Sequence, residues 1–211
     1  MKAKIKNNKP DFYYEKKLKR AGYGLIIGID EAGRGPLAGP VVAAAVALKA
    51  GERFKNRIDD SKKLTQVYRE QAFKEISEYS LYGIGIVEEG MIDFFNILAA
   101  TRMAMEQALF TLLDKIGNPA KQNPHIIVDG NVKLNIAFPY TNIPGGDAKS
   151  KSIACASILA KVVRDRIMVL YDKLYPEYGF RRHKGYPTRM HKFALRRFGP
   201  SGIHRKTFCL V

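Results

Sequence analysis

The chain has 211 residues, 46% of them hydrophobic, and a formal net charge of +16. That length fits about one globular domain with an appendage, and the apolar content excludes disorder of the whole chain. The longest unbroken apolar run, Val41–Leu48, is far short of the roughly 20 residues of a membrane helix, the Lys-rich start lacks the apolar stretch of a secretory signal, and two cysteines, Cys155 and Cys209, make neither a disulfide framework nor a zinc cluster and fit a reducing cytoplasm.

Residues 1–20 read as a basic, partly ordered arm, and Ala21–Gly24 as a loop. Leu25–Asp30 is a short apolar run bounded by glycines, the pattern of a buried strand. Val41–Leu48 is a second strand, although its alanines also suit a helix. A polar loop, Gly51–Lys63, leads to Thr65, a cap for a helix running to about Tyr79 with Val67, Phe73 and Ile76 inward. Leu81–Val87 is a third strand. Met91–Ile116 is helical by spacing, with Ile92, Phe95, Leu98, Met105, Leu109, Leu112 and Ile116 on one face, and Gly117-Asn118-Pro119 stops it. His125–Asp129 is a fourth strand and Ile136–Thr141 a fifth. Asp147 follows Gly145-Gly146, then a helix runs from about Ser152 to Leu174. After several turns, Thr188–Phe198 forms a last helix. This order predicts an α/β fold, a mixed sheet with helices on its faces.

The charge is uneven. Residues 1–20 carry eight Lys/Arg against two acids, residues 178–211 carry nine against none, and the middle is nearly balanced at 19 against 18. Such ends suit a polyanion, either nucleic acid or an anionic membrane surface, and the 34 residues without a carboxylate favour nucleic acid. The division predicted is a basic arm (1–20), a catalytic body (21–175) and a basic substrate-binding region (176–211).

The glycine-rich run Gly28-Ile-Asp-Glu-Ala-Gly33-Arg-Gly35 follows a strand but is not a phosphate loop. A P-loop needs Lys and Ser/Thr after Gly33, where Arg34 and Gly35 stand, and a dinucleotide fingerprint needs its third glycine one position before Gly39. Asp30 and Glu31 inside the run would repel a phosphate unless a cation came between. Hard divalent cations bind through a few carboxylates plus substrate phosphate oxygens. Asp30 and Asp129 each end an apolar strand, and Asp147 lies at a glycine turn, so the acids can converge at one sheet edge. Neighbouring strand residues point to opposite faces, so Asp30 and Glu31 can share a metal only if the strand has stopped by Glu31. Acids at strand ends also occur as plain turn and cap residues.

The stretch from Gly28 to Val46, GIDEAGRGPLAGPVVAAAV, closely resembles the signature of type 2 ribonuclease H, specifically bacterial ribonuclease HII. The likeness continues through Asp60-Ser61-Lys62-Lys63-Leu64, Val128-Asp129-Gly130-Asn131, Gly146-Asp147 and the run from Ser152 to Asp165. It ends with Tyr178-Gly179-Phe180, His183-Lys184-Gly185-Tyr186-Pro187 and His204-Arg205. The blocks span about Leu25 to Phe208 in the family's order, with Cys155 standing where many relatives have Ala. The related HIII enzymes usually carry an extra N-terminal domain, for which twenty basic residues are too few.

The resemblance implies a ribonuclease H-like mixed sheet with a helical C-terminal region. It implies a site of Asp30, Glu31, Asp129 and Asp147 holding Mg²⁺ or Mn²⁺, two ions with substrate bound. The implied activities are cleavage of the RNA strand of RNA/DNA hybrids and nicking of duplex DNA 5′ of a lone ribonucleotide, by a cytoplasmic monomer in ribonucleotide removal during replication and repair. Gly33, Arg34 and Gly35 resemble the loop that grips the 2′-OH, Tyr186 the tyrosine that stacks on the following sugar, and Ser61, Lys62 and Lys63 a phosphate-contacting loop; Lys184 falls beside that tyrosine. Two metals roughly 4 Å apart would activate the attacking water and stabilise the leaving 3′ oxygen, giving 3′-OH and 5′-phosphate. Selectivity for RNA must then come from the 2′-OH. His183 and His191 are expected to be solvated or to contact phosphate. The rival readings are a non-catalytic nucleic-acid binder and an HIII-like enzyme that cuts hybrids only.

Overall fold

The computed structural model describes residues 9–49 and 54–208. The first eight residues of the arm, residues 50–53 at the start of the polar loop, and residues 209–211 with Cys209 lie outside the described residues. Five strands form one mixed sheet: β1 (Leu25–Ala32), β2 (Val41–Leu48), β3 (Ser80–Val87), β4 (Pro124–Asp129) and β5 (Tyr140–Ile143), in the order β3-β2-β1-β4-β5. The first three run antiparallel, while β4 lies parallel to β1 and β5 parallel to β4. The helices are α1 (Tyr13–Arg20), α2 (Gln66–Tyr79), α3 (Glu89–Phe95), α4 (Ile97–Ile116), α5 (Lys151–Leu174), α6 (Phe180–His183) and α7 (Arg189–Phe198). The predicted α/β fold, with helices on both faces, is the one observed.

β2 is almost uniformly apolar because both its faces are covered, which removes the usual alternation. Ala43 and Ala45 face α4 with Ile27, Ile29, Met105 and Leu109. Ala44 and Val46 face α5 and α2 with Ala154, Ile158 and Ile76. The small side chains let both helices lie close. At Gly28 the approach leaves no room for a Cβ, which would strike the backbone of Ser152 and Ile153 at the start of α5. Among the described residues no helix is long and apolar enough to cross a membrane.

Three local expectations change. The single helix over 91–116 breaks at Asn96, whose φ is 76° and whose Oδ1 accepts from the N–H groups of Leu98 (2.9 Å) and Ala99 (3.1 Å). An Asn tolerates the left-handed backbone and is a strong helix cap, so α4 restarts in its own direction. Phe95 and Leu98 consequently stand exposed. In α2 the inward residues are Ala72, Phe73 and Ile76, while Val67 in the first turn is exposed. The fifth strand begins at Tyr140, after Pro139, which has no N–H to give a ladder.

The second half of the basic arm is α1, and it is docked. Tyr14 and Leu18 pack on Ile26, Ile127, Ile143 and Ile153. Glu15 accepts from Ser150 Oγ (2.7 Å) and from Ser152 N–H (2.9 Å) and Oγ (2.6 Å). A carboxylate at that end of α5 meets its free N–H groups and the positive end of its dipole. The C-terminal segment has a cluster of its own, Tyr178, Phe180, Ala194, Leu195 and Ile203, which also takes in Leu37, Ala38 and Met168. It thereby leans on the β1–β2 connection.

Candidate active site

β1 and β4 lie side by side in parallel, with Ile29 opposite Val128, so Asp30 and Asp129 arrive together at one sheet edge. Asp129 Oδ1 accepts from Gly146 N–H at 2.6 Å, which draws in the turn carrying Asp147. One carboxylate oxygen from each of Asp30, Asp129 and Asp147 lies within 4.8 Å of the others. Asp30 and Asp147 are buried. Burial, then the charges of Glu31 and Asp129, hold the Asp30 carboxyl well above the usual range. Asp147 is raised by burial and by Asp129 and Asp60, against the pull of Lys62. Crowded, desolvated carboxylates of this kind fit a divalent cation, whose charge would relieve both penalties.

Glu31 is not one of this trio, although its carboxyl interacts with those of Asp30 and Asp129. β1 does not stop at Asp30 but continues to Ala32, pairing Asp30 with Ala44 and Glu31 with Ala43. Those two alanines face opposite layers, so Asp30 lies on the α5 side and Glu31 on the α4 side. Glu31 N–H donates to Asp30 Oδ1 (2.7 Å), and Glu31 Oε1 meets Arg34 Nη1 at 3.3 Å. Burial raises the Glu31 carboxyl and Asp129 adds to that, while Arg34 opposes it. The expectation that the strand ends before Glu31 is therefore corrected.

The Gly33-Arg34-Gly35 loop is held from beneath by two arginines to which sequence reasoning assigned no role. Arg164 is fully buried and donates to the carbonyls of Pro40 (2.9 Å), Lys184 (3.0 Å) and Ala38 (3.1 Å). Arg205, equally buried, donates to Arg34 O (3.0 Å), Gly33 O (2.6 Å) and Gly39 O (2.7 Å from Nη2). A guanidinium offers five donors in a fixed fork, which suits it to gathering carbonyls from several chain segments. Gly33 has φ +104°, and a Cβ there would strike the Arg164 side chain and lie 2.7 Å from Pro40 O. The one sequence signal for Arg164 is its place between Ala160 and Met168 on an otherwise apolar helix stripe.

Helix α5 acts as a ruler along this edge. The Ser157 hydroxyl lies between Ser61 Oγ (3.0 Å) and the Asp30 carboxylate. Lys161 Nζ stands 5.7 Å from the Tyr186 ring centre, and Arg164 underlies the loop. A Cβ on Gly35 would lie 4.0 Å from the Tyr186 ring, so loop and tyrosine face each other. Of the Ser-Lys-Lys segment, Ser61 is buried against Ser157 and Lys63 lies 3.7 Å from Asp59. Lys62 extends to within 3.7 Å of Asp147 Oδ2; burial pulls its ammonium down, but Asp147, Asp60, Asp30 and Asp129 outweigh this and raise it. Lys184 contributes its backbone carbonyl to Arg164, and its ammonium turns to the carbonyl of Arg181. The expectation of solvated or phosphate-contacting histidines fails: His183, His191 and His204 are all buried beneath the Tyr186 turn.

The chain matches the family model of ribonuclease HII over residues 27–211. It is 47% identical over 197 residues to a ribonuclease HII of Syntrophotalea carbinolica, covering 93% of this chain and 90% of that one. It is 49% identical over 199 residues to a ribonuclease HII of Acholeplasma laidlawii, covering 94% of each. In fold it is similar to the ribonuclease HII of the PCNA:RNase HII complex from Archaeoglobus fulgidus (TM-score 0.69, 24% identity, 87% of this chain and 95% of that one). It is also similar to Bst-RNase HIII in complex with Mn²⁺ (TM-score 0.68, 21% identity, 88% of this chain and 67% of that one).

Proposed function

Because this chain belongs to the ribonuclease HII family, and is thus a metal-dependent endoribonuclease acting on nucleic acid, we propose that it cuts the RNA strand of RNA/DNA hybrids and nicks duplex DNA 5′ of single embedded ribonucleotides. The observation that carries this reading is the convergence of Asp30, Asp129 and Asp147 beside a glycine loop that faces an exposed tyrosine. We propose these three acids as the ligands of a shared Mg²⁺ or Mn²⁺, and Glu31, which leaves β1 on the other face but interacts with Asp30 and Asp129, as a ligand of the second ion when substrate is bound. Such ions supply an activated water and a neutralised 3′ leaving oxygen, yielding 3′-OH and 5′-phosphate.

The chain's own residues do the recognition. The loop of Gly33, Arg34 and Gly35, held by Arg164 and Arg205, offers backbone groups to a ribose 2′-OH. Across from Gly35, Tyr186 is 41% exposed, enough for its ring to stack on the next sugar. Arg34, Arg102 and Lys133 line one groove with Asn96 and Asn131 beside the acids, and this suits a phosphate backbone. In this reading Lys62 and Lys63 contact phosphates, and Lys184 and Ser61 support those contacts from the backbone and from beneath. The setting proposed is a cytoplasmic monomer that removes ribonucleotides during DNA replication and repair.

The test is incubation with Mg²⁺ or Mn²⁺ and two end-labelled duplexes, one an RNA/DNA hybrid and one DNA with a single ribonucleotide. Cutting of both, with a 5′-phosphate on the downstream product, is the expected result. Hybrid-only cutting would overturn the single-ribonucleotide assignment.

A further inference from the structure

Three of the four histidines of the chain lie packed together under the Gly185-Tyr186 turn, and none of them approaches the acids through a hydrogen bond. His183 and His191 are stacked with ring centres 4.4 Å apart, and His191 Nε2 lies 2.9 Å from His204 Nε2. Two neutral imidazoles can share such a contact only if one nitrogen donates and the other accepts. The partners at the two ends decide which. Ser201 N–H can only donate, and it points at His204 Nδ1 (2.9 Å), so that nitrogen carries no proton and the Ser201 hydroxyl beside it (2.8 Å) also donates to it. His204 Nε2 then bears the hydrogen and donates to His191 Nε2. His191 Nδ1 must bear the other hydrogen, and its partner at 2.9 Å is the carbonyl of Tyr186, which can only accept. Both ends require the same direction, running from Ser201 through His204 and His191 to Tyr186.

The rest of the turn is equally determined. His183 Nδ1 accepts from Gly185 N–H (3.2 Å) and its Nε2 donates to Tyr178 O (2.8 Å). Gly185 O accepts from Leu37 N–H (2.8 Å), and Tyr186 N–H donates to His183 O (2.9 Å). The turn that carries Tyr186 is thus bonded on one side to the histidines and on the other to the connection after the Gly33-Arg34-Gly35 loop. Burial supports the neutral state of all three rings: it lowers the pKa of His183, and takes His191 and His204 to about 4.

We propose that His191 and His204 are positioning residues for Tyr186: a proton-ordered imidazole pair that holds its carbonyl and so fixes its ring against the sugar-reading loop. This rests on the reading of Tyr186 as a substrate contact. The hydrogen bonds of the pair run to Ser201 and Tyr186 and not to the acids. The pair acts through a single backbone oxygen, which also accepts from Thr188 N–H (2.8 Å).

The wiring makes an opposite demand at the two positions, because an Asn amide overlays a histidine Nδ1 and a Gln amide overlays Nε2. At 204 the needed group is the Nε2 donor, so H204Q keeps the link and H204N breaks it. At 191 the Nδ1 donor holds Tyr186 and the Nε2 acceptor takes the His204 hydrogen, so H191N keeps the bond to Tyr186 but gives up the link to His204, and H191Q loses the bond to Tyr186. The measurement is kcat/KM for nicking a single-ribonucleotide duplex, on variants whose melting curves show a folded chain. H204N and H191Q are expected to lose about tenfold or more, H204Q to stay within about threefold, and H191N to lose less than H191Q. In a Tyr186→Ala background, which keeps the carbonyl but removes the ring, H204N should change the rate by less than about twofold, since two residues acting through one contact are not additive. Equal losses for Asn and Gln at both positions, or an undiminished H204N loss in the Tyr186→Ala background, would overturn the proposal. Wild-type nicking by Tyr186→Ala alone would instead overturn the substrate role of Tyr186, and the positioning role with it. A histidine pair that only fills space has no reason to prefer Asn at one position and Gln at the other.

Discussion

Asp129 accepts a 2.6 Å hydrogen bond from the backbone N–H of Gly146. The acid that ends β4 therefore sets the turn that presents Asp147, and two of the three converging carboxylates are placed by one contact. The same oxygen cannot be removed without loosening its neighbour, but the charge can be removed while the acceptor is kept.

Asp129→Asn is that change. The amide oxygen can still accept from Gly146, so the turn should survive, while the charge that would hold a divalent cation is gone. Cleavage should fall by about 4 kcal/mol of barrier or more, roughly a thousandfold. Hybrid binding, measured by fluorescence anisotropy, should remain within a few-fold. If binding disappeared as well, Asp129 would be a structural acid.

The metal-free protein should carry a penalty at neutral pH. The folded-state pKa of Asp30 is raised by burial and like charge, so its contribution is favourable below the usual carboxylate pKa and is lost as pH rises through the folded value. Mg²⁺ or Mn²⁺ should raise the melting temperature at pH 7.5, by up to ~2.7 kcal/mol of stability at a hundredfold excess over Kd. Asp30→Asn should melt higher than wild type without metal and respond less to metal. Identical metal responses in the two chains would remove Asp30 from the ligand set.

Arg205→Met should leave the carbonyls of Gly33, Arg34 and Gly39 without their donor. An orphaned buried acceptor costs about 1–3 kcal/mol, so a loss of at least about 3 kcal/mol is expected in urea unfolding. Arg205→Lys should recover little of it, because an ammonium lacks the planar fork. A Lys variant as stable as wild type would mean that charge, not geometry, matters at this position.

Gly33→Ala should be harmful for two separate reasons. Its φ of +104° is unfavourable for a side chain, costing about 1–3 kcal/mol, and the new Cβ would strike Arg164. Both stability and nicking should fall. Gly130→Ala, also at positive φ but with open space around it, should cost only the backbone part. Comparing the two melting curves separates strain from collision.

His191 and His204 should impose a pH dependence on stability. Their pKa values fall to about 4 in the fold through burial, so the unfolded chain binds more protons between that value and the ordinary pKa near 6.5. Their contribution is complete above the ordinary value and is lost as pH falls toward 4, by about 1.4 kcal/mol for each unit of depression that is crossed. The melting temperature should therefore drop across that window, and the drop should be smaller in H204Q, which has one fewer group to protonate.

Much of the site was legible in the residues themselves. Strands with both faces covered lose alternation and show as apolar runs, so the acids that end them stand out, and a loop that pairs glycines with two carboxylates is chemically unlike a phosphate cradle. The start of α2 was legible from Thr65, which caps it as its position predicts, and the last helix was legible from its spacing, with Thr188 as its cap. What the residues could not disclose depends on partners distant in the chain. Arg205 reaches Gly33 across 172 positions, and Ser157 meets Ser61 across 96. A buried arginine bonded only to carbonyls has the same one-letter code as a solvated one. The histidines are opaque in sequence for that reason: their orientation is set by Ser201 N–H and Tyr186 O, backbone groups distinguished only by where the fold puts them. Side-chain chemistry, and with it the class of reaction, belongs to the sequence. Which face Glu31 takes, and which proton each histidine holds, were decided by the continuation of β1 through Ala32 and by the packing of the C-terminal segment on the loop, because strand pairing and burial are properties of the assembled chain.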